Sequence, residues 1–281
     1  MKQEDCIFDK IHLIKQKIPK HAISSLLEIM YNHICFSTFP YLVYKQESSQ
    51  SSIENYNSGN CIGFAYFVKM YLEKNFKIKS YIIGASVPSI FKVNGTPHIC
   101  HCAIIVPIDL YQFYIIDGAL YFLEPMFCDL RDNQVRYIYN SNCHNHVRTK
   151  IKYQIQTCET NVLDNHFNQI LPEMSLCVQA TFVDLPNESW NYYLSEIKNP
   201  DNNIGLSFLR LKNEPFLMYT KLEDNIVKMK YKIEFDAINN IIIIKEYPQR
   251  NIIYKGNTYD NDKTLQKVFQ ELRHFFDNFI I

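Results

Sequence analysis

The chain has 281 residues, 47% of them apolar, and Lys plus Arg balance Asp plus Glu at 29 each. That length and apolar share fit a globular protein of one large or two modest domains and exclude a disordered chain. With a net charge of zero there is no overall field to recommend nucleic acid or an anionic membrane, and neither is expected as a partner.

From Cys6 to Phe36 apolar residues recur at helical spacing, in Ile11, Leu13, Ile14 and Ile18 and again in Ile23, Leu26, Leu27, Met30 and Ile34. This predicts two helices parted near Pro19. The N-terminus lacks the continuous apolar stretch of a signal peptide, and no apolar run is long enough for a membrane span. Nine cysteines, an odd number with no secretion signal, read as free thiols in a reducing compartment, so a cytoplasmic location is expected.

Gln46 to Gly59 is polar, holds five serines and reads as a loop. It leads into a predicted helix over Cys61 to Phe76, with Phe64, Ala65, Val68, Tyr71 and Leu72 on one stripe. Short runs rich in Ile, Val and Tyr then predict strands at Ser80 to Ala85, His101 to Val106 and Gln112 to Asp117, the last two joined by a hairpin at Pro107 to Tyr111. Further strands are expected at Ile151 to Thr157, Ser175 to Val183, Gly205 to Lys212, Phe216 to Lys221, Ile226 to Phe235 and Ile241 to Glu246. A closing amphipathic helix over Thr264 to Phe279 carries Leu265, Val268, Phe269, Leu272, Phe275 and Phe276 on one face. Helices, then strands, then a helix make an α+β protein.

The chemistry points to Cys61. A thiol in the first turn of a helix has its pKa lowered by exposed N–H groups and the macrodipole, and Gly59 just before it allows a close backbone approach. Strand alternation puts His101 on one face with Ala103 and Ile105, and Asp117 on a face with Phe113 and Ile115. Neighbouring antiparallel strands then set imidazole beside carboxylate, and a helix packed across that face presents Cys61 to His101. The same alternation turns Cys102 away from His101, as a buried, inert neighbour.

Other residues invite other readings. His98, Cys100, His101 and Cys102, with Cys143, His144 and His146, suggest a metal, but their spacing is not that of a structural zinc site and no metal is expected. Twenty tyrosines without a basic excess are expected to line strands rather than to stack on bases. Trp190 fits a cleft-lining loop or plain packing.

Cys61, His101 and Asp117, separated by 40 and 16 residues, resemble in order and spacing the arylamine N-acetyltransferases and their relatives, the transglutaminase-like cysteine enzymes. In the first family the likeness extends to Phe76–Ser86, similar to the strand after the catalytic helix, and to a helix like Leu265–Phe276 at the end. It implies a helical N-terminal region with the nucleophile helix (1–85), an antiparallel, β-barrel-like middle (86–204) and a C-terminal α/β lid of strands and helix (205–281). It also implies an enzyme in which Cys61 is acylated, His101 is its base and Asp117 orients the base. Acetyl-CoA or a similar CoA thioester would be the co-substrate and a small-molecule amine the acceptor. The chain differs in having Asn57-Ser58-Gly59 where that family carries Arg-Gly-Gly, and Gly118-Ala119-Leu120 where it has a glycine-aromatic-glycine turn. Gly59-Asn60-Cys61-Ile62-Gly63-Phe64-Ala65 is similar to the helix start of the transglutaminase-like enzymes, which act on amide or peptide substrates, though the Trp usual after their histidine is missing. A non-catalytic binding protein that kept the fold is the third alternative.

Overall fold

The computed structural model describes residues 17–85, 101–109, 111–121, 125–129, 131, 136–138, 151–156, 175–179, 215–224, 226–236, 238–257 and 260–273. Helix α1 (Lys20–His33) opens behind Pro19, whose fixed φ suits a helix start, and stops where Ile34 turns extended at φ −116°. Its stripe of Ala22, Ile23, Leu26, Leu27 and Met30 is buried. The chain then forms a short strand β1 (Cys35–Ser37) and a single turn α2 (Phe39–Leu42) with Pro40 in its first turn.

The segment expected to be a loop contains a helix, α3 (Ser49–Tyr56). The Ser48 hydroxyl caps it by accepting the Ser51 N–H at 3.0 Å, and Asn57 ends it in the left-handed region at φ 48°. Its inward face is Ser49, Ser52 and Ile53, so small polar side chains sit where an apolar stripe would have signalled a helix. After β2 (Ser58–Gly59) comes α4 (Cys61–Phe76), which buries Cys61, Ile62, Phe64, Ala65, Val68 and Leu72 and ends at Lys77, also left-handed. Each Leu or Ile buried in this way contributes about 2 kcal/mol.

Two sheets follow from the remaining strands. One comprises β3 (Tyr81–Ala85), β4 (His101–Pro107), β5 (Gln112–Ile116), β6 (Met126–Asp129), β7 (Arg136–Ile138), β8 (Ile151–Gln156) and β9 (Ser175–Gln179). Among the described residues its order is β6-β5-β4-β3-β9-β8-β7, antiparallel except for β8 against β9. The expected barrel-like middle is therefore an open sheet here, with β6 and β7 at its two ends rather than paired to each other. The hairpin between β4 and β5 is closed by the Ile108 N–H donating to the Gln112 carbonyl at 2.7 Å, and Asp109 Oδ1 accepts from the N–H groups of Tyr111 and Gln112.

The second sheet unites distant parts of the chain. Strands β10 (Phe216–Glu223), β11 (Ile226–Asp236), β12 (Ile241–Glu246) and β13 (Asn251–Asn257) form an antiparallel meander, and β10 continues the sheet onto β1 and then β2. Helix α5 (Lys263–Glu271), capped by Asp262 Oδ1 accepting from Thr264 and Leu265, closes over it. Alternation along β10 divides the core: Phe216 and Met218 join α1, α4 and the face of the first sheet that carries Ile82, Ile104 and Ile116, while Leu217 and Tyr219 join Leu265, Val268 and Leu272 of α5. Helices α1 and α4 thus share one core with both sheets, an α+β arrangement. The expected helix through Ile11 and Ile14, the strand Gly205 to Lys212, Trp190, Phe275 and Phe276 lie outside the described residues. So do His98, Cys100, Cys143, His144 and His146.

Candidate active site

Cys61 is the first residue of α4, and what precedes it explains how it is held. The Asn60 side chain caps the helix, its Oδ1 accepting the N–H groups of Ile62 at 3.0 Å and Gly63 at 3.1 Å. Behind it, the Ser49 hydroxyl donates to the same oxygen at 3.1 Å, and the Asn60 N–H donates to Tyr41 Oη at 3.2 Å. A side chain on Gly59 would place a Cβ 2.9 Å from that Tyr41 oxygen and 3.2 Å from Ser52 Oγ, so the close approach expected of this glycine is real. Sequence reasoning missed Tyr41, Ser49 and Ser52 because they lie in α2 and in the segment taken for a loop. Ser48 as a helix cap was the available signal.

His101 opens β4 and Asp117 follows the last residue of β5. The two strands are antiparallel neighbours, Ile104 opposite Ile116, and His101 Nε2 lies 2.7 Å from Asp117 Oδ2. The other carboxylate oxygen accepts the Leu120 N–H at 3.2 Å, which fixes the carboxylate in the turn that follows. Gly118 belongs to that turn, and a Cβ there would strike Met30 and lie 2.9 Å from Phe64 Cδ1. Both members of the ion pair are buried, His101 at 3% and Asp117 at 2% exposure, so their attraction is little weakened by water.

Cys61, His101 and Cys102 are all buried, and the ionisation of the Cys61 thiol responds to the other two. Cys61 is held well below the ordinary thiol range, first by the hydrogen bond from Cys102, against burial, and then by the hydrogen bond and charge of His101. His101 is correspondingly raised: burial works against its charged form, but the Asp117 carboxylate and then Cys61 outweigh it. Burial, and then Cys61, push Cys102 far up. Together these shifts favour a thiolate–imidazolium pair.

One expectation needs correcting. Helix α4 does not pack across the face of His101, Ala103 and Ile105. It packs on the opposite face, sharing its core with Cys102, Ile104 and Val106. Cys102 is buried on the face away from His101, as alternation requires, but that is the face that α4 covers. Alternation separates the two faces correctly, but β4 is buried on both, so its apolar pattern does not say which face the helix covers.

The four cysteines described with their side chains, Cys35, Cys61, Cys102 and Cys128, are free thiols. Among the described residues no helix is long and apolar enough to cross a membrane.

No protein-family model matches the chain, and no curated protein matches it by sequence. Solved structures do. An arylamine N-acetyltransferase of Bacillus cereus, reported to have a Cys-His-Glu catalytic triad, aligns over 88% of this chain and 90% of its own at 12% identity and a TM-score of 0.50. Arylamine N-acetyltransferase C of Bacillus anthracis aligns over 94% and 95% at 11% identity, also with a TM-score of 0.50. The chain shares the fold of these enzymes along nearly its whole length.

Proposed function

We propose that the protein is a cysteine-dependent acyltransferase. Cys61 is the nucleophile, His101 its base and Asp117 the group that orients the base. The observation that carries this reading is the buried His101–Asp117 pair, 2.7 Å between Nε2 and Oδ2, together with a buried Cys61 at a capped helix start whose thiol His101 helps hold below its ordinary range. The shared fold supports it.

In the proposed cycle the Cys61 thiolate attacks the carbonyl carbon of a CoA thioester, forming a tetrahedral intermediate that expels the CoA thiolate. The His101 imidazolium supplies the proton to that leaving group, and the acyl group stays on Cys61 as a thioester. A small-molecule amine then attacks, neutral His101 takes its proton, and Cys61 leaves as the thiolate with an amide as product. Asp117 holds the tautomer and stabilises the imidazolium at each stage. The third position is Asp in this chain, whereas the Bacillus cereus enzyme carries Glu.

Incubation with acetyl-CoA followed by intact-mass measurement should show one acetyl adduct, mapped to Cys61 by peptide digestion and discharged when an arylamine is added. An unmodified protein at saturating acetyl-CoA would sink the reading. Peptide amides offered in parallel would reveal the amide-directed alternative.

A further inference from the structure

The side-chain amide of Asn60 is used on one branch and idle on the other. Its Oδ1 accepts the N–H groups of Ile62 and Gly63, at 3.0 and 3.1 Å, and the hydroxyls of Ser49 and Tyr41, at 3.1 and 3.2 Å. Oxygen and nitrogen cannot change places, because the two backbone N–H groups need an acceptor. The Nδ2 is buried and has no hydrogen-bond partner among the described residues, in a side chain whose residue is 1% exposed. A buried donor left without an acceptor destabilises the fold, and few folded proteins leave one without a reason. The next donor along the chain is in the same state: the Cys61 N–H, first of α4, has no acceptor among the described residues.

We infer that Asn60 is a further catalytic residue, its Nδ2 donating a hydrogen bond to the acyl oxygen as that oxygen becomes negative. The inference rests on Cys61 being the acylated nucleophile, as read above, but not on CoA as the donor. Asn60 is joined directly to Cys61, and the oxygen concerned belongs to the carbon that Cys61 Sγ attacks. When the thiolate adds to that carbon, the π pair of the carbonyl moves onto oxygen. When the oxyanion collapses, the pair re-forms the carbonyl and the bond to the leaving group breaks. Asn60 transfers no proton in either direction and lends only its hydrogen bond. A donor that is idle in the resting protein and meets its strongest acceptor in the tetrahedral stage lowers the barrier rather than merely tightening binding. The contacts of Oδ1 with α2, α3 and the start of α4 hold the amide plane in advance, so no reorientation is needed when charge develops. Asn60 and Cys61 are withdrawn from water together, and a fixed donor acts more strongly there than in solvent.

The test compares two reactions of Cys61: acetylation by p-nitrophenyl acetate, which passes through an oxyanion, and alkylation by iodoacetamide, which does not. Both rates are taken above each protein's alkylation midpoint, where the thiol is ionised, with the site assigned by peptide mass because the chain holds nine cysteines. Asn60→Ser keeps a helix-capping oxygen and removes the amide donor, and Asn60→Asp keeps the shape as well, should the serine variant fail to fold. Each variant should acetylate on the order of a hundredfold more slowly than the parent, while its limiting alkylation rate stays within about twofold. Acetylation at the parental rate would overturn the inference. So would alkylation that falls as far as acetylation, because Asn60 would then only seat the thiol. Read with the nitrophenyl ester, the expected result stands even where acetyl-CoA leaves Cys61 unmodified, so this inference and the CoA-dependent reading fail separately.

Discussion

Two clusters of opposite charges sit on the two sheets, and they do opposite things with burial. By the first sheet, Cys61, His101 and Asp117 are all withdrawn from solvent, with Asp117 on His101 at 2.7 Å, and the ionisation of Cys61 responds to both. In the middle of the second sheet, Glu234 accepts from Lys232 and Lys245, each at 2.6 Å, with the lysines still partly in water. Burial alone would raise the Glu234 carboxyl, yet the two ammonium groups hold it below its usual range. The second cluster is saturated: its acceptor has two cations, and no member is left to react. In the first cluster a single imidazole, His101, acts on both Asp117 and Cys61. Location decides the difference. Glu234 lies mid-strand on β11, with Lys232 two positions along the same strand and Lys245 on β12, whereas Cys61, His101 and Asp117 lie at or just beyond the ends of their elements.

The largest effect is expected from removing the Cys61 thiol. Cys61→Ala should abolish the acetyl adduct and all turnover while circular dichroism and the thermal midpoint stay close to the parent, since one small side chain at a helix start is lost. A well-folded variant that still turns over would place the chemistry elsewhere.

Next in size is Asp117→Asn, which keeps the shape and loses the charge. The sign follows from the forces on Cys61: the His101 hydrogen bond and charge lower it, and the direct repulsion by Asp117, which raises it, is smaller. Weakening the imidazolium should therefore shift the alkylation profile to higher pH and slow it at neutral pH by on the order of tenfold to a hundredfold. Asp109→Asn is the matched control. Asp109 serves the hairpin N–H groups and faces neither His101 nor Cys61, so its profile should overlay the parent. Equal effects from both would reduce Asp117 to a structural turn residue.

The smallest effect is expected in the saturated cluster. Glu234→Gln should cost about 1 kcal/mol of stability or less, read by urea denaturation at neutral pH, and leave Cys61 alkylation untouched. Because the Glu234 carboxyl is held below its unfolded value, its contribution is present above the ordinary carboxylate range and disappears as pH falls through the lowered one. Parent and variant should accordingly converge in acid. Divergence there, or altered Cys61 reactivity, would mean that the two clusters are coupled.

Much of this was legible from residue order. Strand β12 matches its expected bounds, Ile241 to Glu246, because β-branched residues fill it and turn residues flank it. Strands β4 and β5 and helix α4 also lie where their apolar patterns put them, and with them the three residues of the site. What was hidden has a common cause. Helix α3 turns serines inward, so its buried face carries no apolar period, and the Tyr41–Ser49–Asn60 contacts behind Cys61 depend on that helix. Strands β1 and β2 are three and two residues long, too short for any pattern. The packing of α4 over the Cys102 face is not legible because a strand apolar on both sides carries no mark of which side meets a helix.

The route by which β2 is attached to its sheet bears on when the thiol becomes reactive in a growing chain. Cys61 follows β2 by one intervening residue, and β2 pairs with β1, which in turn pairs with β10, Phe36 opposite Met218 and Ser37 opposite Leu217. Ser37 and Thr38 add side-chain and backbone hydrogen bonds to Phe216. The ledge on which the nucleophile sits is thus completed by a strand some 180 residues later in synthesis, as the 179-residue separation of Ser37 and Phe216 records. Contacts of such sequence separation form late, after the loop between them has been closed. On a ribosome moving from the N-terminus, the residues of the triad emerge long before the strand that seats them. A nascent chain stopped ahead of β10 would carry Cys61, His101 and Asp117 as an ordinary cysteine, histidine and aspartate, and the thiol would acquire its character only with assembly of the second sheet.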